Sequence, residues 1–228
     1  MMKGFKRVSK YLQSWASQDF DNEVTSEFVH YDPGIEVQEY QGSARGWMQT
    51  YQGRKFYPLD PYPEDVDIVD IAHGLAMTCR FGGQCREFYS VAEHCVHVAR
   101  ALEHMGYDGN VLRAGLLHDS AEAYIGDLIR PLKHQPEMIE FRKAEAKIEL
   151  AVAERFKLDT SALVHGLVKN IDNRILVDEI RQLCADPEMY LPAEPGLQPL
   201  GITLHCWTPA RAEQEFLLEY RRLFLHAT

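Results

Sequence analysis

His94, the adjacent pair His118-Asp119, and Asp172 are the residues of this chain best equipped for chemistry, in the order His…His-Asp…Asp. Each sits in or beside an apolar stripe with helical spacing. A polar side chain there is costly unless it is hydrogen-bonded, paired with an opposite charge, or bound to a metal. Imidazole nitrogen and carboxylate oxygen together suit Zn, Mn, Co or Fe as divalent ions. Two His and two Asp leave coordination positions open for water and substrate, which marks a catalytic rather than a structural site. Three helices, each directing donors inward, would have to hold them.

The first helix opens at Ser90-Val-Ala-Glu93, a capping box with Ser90 at the N-cap and Glu93 three residues on. Val91, Cys95, Val98, Leu102 and Met105 then recur at helical spacing and predict one buried face. His94 falls at its edge, while His97 and His104 fall farther round and read as solvated. His94 alone reads more readily as a core histidine donating to a carbonyl. The second helix is predicted from Val111 to Ile125 after an Asn110 cap, apolar until His118-Asp119. Gly115 allows another backbone to come close. Adjacent helical positions diverge by about 100°, so His118 and Asp119 can share an ion only if it lies against the helix. The third helix spans roughly Ser161 to Cys184, with Val164, Val168, Ile171, Ile175, Leu176 and Leu183 on its apolar face. Asp172 lies inside that face, with Lys169 and Arg174 expected to point elsewhere. Glu122 and Asp127 add two carboxylates close behind Asp119, and the apolar run leading into them argues against full exposure.

Taken together, these residues resemble the HD-domain metal-dependent phosphohydrolase superfamily. Glu122 and Asp127, three and eight residues after Asp119, with Arg80-Phe81 upstream of His94, resemble its bacterial 5′-deoxynucleotidase branch. Ile-Ala-His-Gly-Leu (71–75), Phe-Tyr-Ser-Val-Ala-Glu-His (88–94) and Gly-Leu-Leu-His-Asp-Ser-Ala-Glu (115–122) carry most of the likeness, which covers roughly 60–225. Phage deoxynucleoside triphosphohydrolases are similar too.

The resemblance implies an all-α HD-domain helical bundle. It implies a divalent ion (Mn, Co, Zn, Fe or Mg) held by His94, His118, Asp119 and Asp172, with Glu122 or Asp127 handling protons. Arg80 and Phe81 would meet phosphate and sugar or base, and Arg130 and Lys133 are further candidates for substrate phosphate. The expected reaction is hydrolysis of deoxynucleoside 5′-monophosphates to nucleoside and phosphate. The first alternative is a deoxynucleoside triphosphohydrolase. A cyclic-nucleotide phosphodiesterase would need two more histidines, for which His134 and His165 are in the right interval. A non-catalytic, metal-stabilised regulatory domain is the remaining alternative.

Residues 60–228 are expected to form the HD domain, behind an N-terminal extension, 1–59. Tyr11 to Ser17 reads as a short helix, and Asp21 to Glu39 as irregular. Gly53 between the aromatic-rich runs at 47–51 and 55–57 predicts a small β-hairpin. A helix is predicted from Glu64 to Cys79, a loop over Ile129–Lys133, a long helix from Pro136 to Phe156, and a loop-rich insertion over 185–206. Thr208-Pro209 opens a last amphipathic helix.

At 228 residues the chain can bury a sizeable core. A formal charge of −10 argues against a general nucleic-acid binder, without excluding a phosphorylated small molecule. The 5 cysteines show no metal-ribbon spacing, no apolar run is long enough for a membrane helix, and no apolar signal core follows the basic start. The expected setting is a reducing cytoplasm. The expected partners are a small nucleotide and further copies of the chain in a homo-oligomer, with no nucleic acid and no membrane.

Overall fold

The computed structural model describes residues 46–189 and 196–225. It is all-α apart from one small hairpin. The strands are β1 (Met48–Gln49) and β2 (Lys55–Phe56), antiparallel with Met48 opposite Phe56. The helices are α1 (Ile68–Met77), α2 (Val91–His104), α3 (Gly109–Leu117), α4 (Glu122–Ile125), α5 (Arg130–Lys133), α6 (Ile139–Phe156), α7 (Ala162–Leu183) and α8 (Pro209–Leu225). The predicted helix at Tyr11–Ser17 lies outside the described residues.

Polar caps define the helix starts. Asp67 accepts from the Val69 amide before α1, Ser90 from Glu93 before α2, and Ser161 from Val164 before α7. The cap of α3 is Asp108, which takes the Asn110 and Val111 amides, so the expected Asn110 cap is displaced by two residues. The capping box at α2 is half-formed. Ser90 caps, but Glu93 turns away from Ser90 and accepts the amides of His205, Cys206 and Trp207.

α2 stands at the centre, packed against α1, α3, α7 and α8. Val91, Cys95, Val98 and Leu102 are fully buried in the core, as their spacing predicts, but Met105 at the helix end is exposed. His97 is also buried rather than solvated, because the 205–207 segment covers it. Two glycines permit close helix approach. A Cβ at Gly115 would meet Leu102 Cδ1 at 2.4 Å, and one at Gly74 would meet the Ala123 carbonyl at 2.6 Å. Phe56 of the hairpin is fully buried and stacks on Tyr124 at 3.8 Å, tying the hairpin to α4.

Several boundaries differ from the sequence expectation. The stretch from Glu64 begins with a 3₁₀ turn, Pro63–Asp65, before α1. The expected loop at Ile129–Lys133 contains the one-turn helix α5, because Pro131 suits a first helical turn. Pro136–Met138 is likewise a 3₁₀ turn before α6. The change with most consequence is that the predicted Val111–Ile125 helix breaks after Leu117.

Candidate metal centre

The break after Leu117 brings His118 and Asp119 together. From there the backbone tightens to i→i+3 bonds, with the Ser120 amide on the Leu117 carbonyl and the Glu122 amide on the Asp119 carbonyl. A 3₁₀ turn superimposes residues i and i+3, so Glu122 lands on the same side as Asp119. His118 Nε2 lies 3.2 Å from Asp119 Oδ2.

α2 and α7 complete the cluster. His94 Nε2 is 3.3 Å from His118 Nε2, 3.7 Å from Asp119 Oδ2 and 3.3 Å from Asp172 Oδ1. The His118 nitrogen and the two carboxylate oxygens thus gather around His94 Nε2. His94, His118 and Asp172 form one group able to hold a metal; Cys95, His118 and Asp119 form another. The Cys95 thiol is the weaker donor, because burial pushes it up and keeps it neutral.

The outer nitrogens decide the tautomers. His118 Nδ1 donates to the Gly115 carbonyl at 2.9 Å, and a carbonyl can only accept. His94 Nδ1 donates to Glu179 Oε1 at 2.6 Å. Both neutral rings therefore present Nε2 lone pairs to each other, a repulsive contact that a shared cation relieves. Ligands about 2.0–2.1 Å from a zinc ion at tetrahedral angles stand about 3.4 Å apart, close to the four separations given above. The residues present fit a divalent metal.

Charge balance points the same way. Burial and the Arg80 guanidinium press His94 toward neutrality, yet Glu179 and Asp172 outweigh them and hold it above its ordinary range. Burial opposes charge on His118 too, but Asp119 raises it well above. Burial also opposes ionisation of Asp119 and Asp172, but the imidazoles hold both carboxyls low. The cluster thus attracts positive charge, whether protons on the imidazoles or a metal ion.

Around it lie the other residues singled out from the sequence. Arg80 Nη1 is 3.6 Å from Asp119 Oδ2. Phe81 follows it in the tight turn Arg80–Gly83, where Phe81 and Gly82 take left-handed φ of 57° and 59°, and its ring centre is 6.0 Å from the Arg80 guanidinium carbon. Glu122 is buried, and burial with the neighbouring Asp119 and Asp127 carboxylates pushes it up to about 10. Asp127 is raised as well, by burial and by Asp119. Lys133 Nζ sits between Glu145 and Glu122, 4.0 Å from Glu122 Oε1. Arg130 bonds Asn173 at 3.2 Å and comes within 3.9 Å of Asp172 Oδ2. His134 and His165 are exposed, and neither joins a metal-capable group among the described residues.

Two features escaped the sequence reading. Lys169 does not point elsewhere: its Nζ reaches Asp172 Oδ2 at 2.6 Å, since residues three apart share a helix face. Glu179 was not singled out, although a carboxylate two turns beyond Asp172 in an apolar face was a signal for it. It is fully buried between His94 and Arg80.

No family model matches the chain. Among curated proteins, the uncharacterized protein YfdR of Escherichia coli K12 is 30% identical over 152 residues, which is 66% of this chain and 80% of YfdR. The chain belongs to the YfdR family. An uncharacterized protein of Rhodobacter capsulatus is 44% identical over 39% of this chain and 47% of its own length. A 5′-deoxynucleotidase of Photobacterium profundum is 27% identical over 58% of this chain and 73% of its own. Like YfdR, it is matched over most of its length. No helix among the described residues is long and apolar enough to cross a membrane.

Proposed function

We propose that this YfdR-family protein is an HD-type, metal-dependent phosphohydrolase acting on 2′-deoxynucleoside 5′-monophosphates, releasing nucleoside and phosphate. The observation that carries the reading is the convergence of His94 Nε2, His118 Nε2, Asp119 Oδ2 and Asp172 Oδ1, with both imidazole lone pairs turned inward. The likeness to a protein named 5′-deoxynucleotidase supports the phosphohydrolase class.

His94, His118, Asp119 and Asp172 would hold the ion. A bound divalent metal polarises a phosphoryl oxygen and makes water a better nucleophile. The side chains around it carry the rest of the mechanism. Arg80 has one guanidinium edge committed to Glu179 and offers Nη1 to a phosphate oxygen. Phe81 is placed to pack near sugar or base. Glu122, buried and favouring its protonated form, is suited to give a proton to the leaving 5′-oxygen. Asp127, half-buried and also raised by burial and by Asp119, is the second group for proton transfer.

The test is a phosphate-release screen of all deoxynucleoside and ribonucleoside mono- and triphosphates with Mn²⁺, Co²⁺, Zn²⁺ and Mg²⁺. Orthophosphate from deoxynucleoside monophosphates is the expected result. A second reading, triphosphohydrolysis, is favoured by Arg130, Lys133 and Lys169 around the same carboxylates, since more phosphates need more cations. Tripolyphosphate as the inorganic product would select it. A cyclic nucleotide opened while no deoxynucleotide reacts would overturn both.

A further inference from the structure

We infer that Glu179 is a positioning residue that sets the tautomer of His94 and the aim of Arg80 at once, an inference that rests on the metal-dependent reading above. Its carboxylate is fully buried on α7, two turns beyond Asp172. Oε1 accepts from His94 Nδ1 at 2.6 Å. Oε2 accepts from Arg80 Nε at 3.2 Å and Arg80 Nη2 at 3.0 Å. One carboxylate thus joins a metal-ligand candidate to the anion-binding arginine.

The chemistry of each contact is directional. An ionised carboxylate only accepts, so the His94 proton must sit on Nδ1 and its Nε2 lone pair must face His118. Partners of this kind fix the ring and raise ligand basicity, and their loss costs about 10–100-fold in metal affinity. Arg80 is held by two of its nitrogens, which leaves Nη1 turned toward Asp119 at 3.6 Å. Without Glu179, the Nε–Nη2 edge would also be free to swing onto Asp119 and Asp172, and Nη1 would lose its fixed aim. A purely structural ion pair would hold α7 to the Arg80 turn without setting either property.

Glu179→Gln tests this on the full chain. An amide has one acceptor oxygen and one donor nitrogen, so it cannot accept from both His94 and Arg80. Metal affinity, measured by Zn²⁺ competition against a chromophoric chelator, should fall by about 10–100-fold. Long-range ¹H–¹⁵N spectra of the metal-free protein, recorded at the pH where the ring signals show neutral imidazole, should show His94 protonated on Nδ1 in the wild type and shifted toward Nε2 in the variant. KM for a deoxynucleoside monophosphate should rise more than kcat falls.

Arg80→Met should raise KM, leave the His94 proton on Nδ1 and not weaken Zn²⁺ binding, the opposite of the loss expected for Glu179→Gln. If Glu179→Gln does not fold by circular dichroism, Glu179→Asp takes its place, since the shorter side chain cannot span both partners. A folded variant with wild-type Zn²⁺ affinity and an unchanged His94 tautomer would overturn the inference. If the wild type binds Zn²⁺ yet hydrolyses no deoxynucleotide, the proposed reaction fails, while the affinity and tautomer measurements still decide the role of Glu179.

Discussion

Glu93 and His94 are neighbours on α2, both fully buried, and they serve opposite purposes. Glu93 accepts three backbone amides of the 205–207 segment, at 2.7, 3.0 and 2.6 Å, so its carboxylate is satisfied by donors that cannot leave. His94 faces the other way, toward a second imidazole and two carboxylates, with no side-chain donor for its inner nitrogen among the described residues when both rings are neutral. The first arrangement is closed and holds a loop on the bundle. The second is coherent only with added positive charge. Burial of a polar group does not by itself distinguish structure from function; the state of its lone pairs does.

Several measurements can break or sharpen that contrast. The largest effect is expected on the open side. His118→Ala and Asp119→Ala should each take bound metal from about one ion per chain to none, since ligand loss removes the site, and abolish phosphate release. Metal analysis after purification checks it, and full occupancy in Asp119→Ala would refute the ligand set. A chelator should lower the melting temperature of the wild type and leave Asp119→Ala unchanged.

Glu122→Ala should keep its metal and lose about 10²-fold or more in kcat. Activity close to wild type would shift proton transfer to Asp127. Glu122→Gln also has a stability signature. The Glu122 carboxyl is raised to about 10 in the fold. Below the ordinary carboxylate pKa both states are protonated, and from there upward only the unfolded chain releases the proton. Its contribution to wild-type stability therefore falls as pH rises toward about 10. The melting temperature of metal-free Glu122→Gln should gain on that of the wild type over the same interval.

Glu93→Ala should behave oppositely to the metal-site variants. It removes the acceptor of three part-buried amides, each such loss costing about 1 kcal/mol or more, so denaturant unfolding should shift by about 1–3 kcal/mol. Metal content per folded molecule should stay at the wild-type level. Burial opposes the Glu93 charge, but His97 and the Trp207 and His205 amides hold the carboxyl low. Its stabilisation is therefore present above the ordinary carboxylate range and lost as pH falls through its lowered pKa. Glu93→Gln should flatten that acid limb of the stability curve. A loss of metal in Glu93→Ala would show that the two sides of α2 are not independent.

The smallest effect is expected at Gly115→Ala. The new methyl meets Leu102 Cδ1 at 2.4 Å, the flexible end of a side chain, so overpacking should cost about 1–3 kcal/mol. The His118 Nδ1 bond to the Gly115 carbonyl should survive, and with it the metal.

Helical periodicity made α1, α2, α7 and α8 legible, and the Ser90 and Thr208 caps marked the starts of α2 and α8, because a stripe and a cap are local signals; the Asp67 cap of α1 was not singled out. The candidate ligands were legible for a related reason: a His or Asp within an apolar stripe is anomalous in any fold. The break after Leu117 was not, because the residues that follow, Ser120, Ala121 and Glu122, are all compatible with continued α-helix. The packing that accompanies the tighter turn, the Ala123 backbone against Gly74 of α1, involves a residue far earlier in the chain. Glu93 illustrates the same limit. Its place in a capping box predicts a local bond, and three amides more than a hundred residues away displace it.

Residue types and spacing by themselves determined an all-α chain with a small hairpin and a nitrogen–carboxylate donor set on three helical segments. Those follow from side-chain chemistry and from the period of a helix, which act over a few residues. Tertiary structure alone decided that His118 and Asp119 converge, that His97 is covered and Met105 is not, and that Glu179 links His94 to Arg80. Each of these depends on a partner far along the chain, and short-range periodicity carries no information about which distant group arrives.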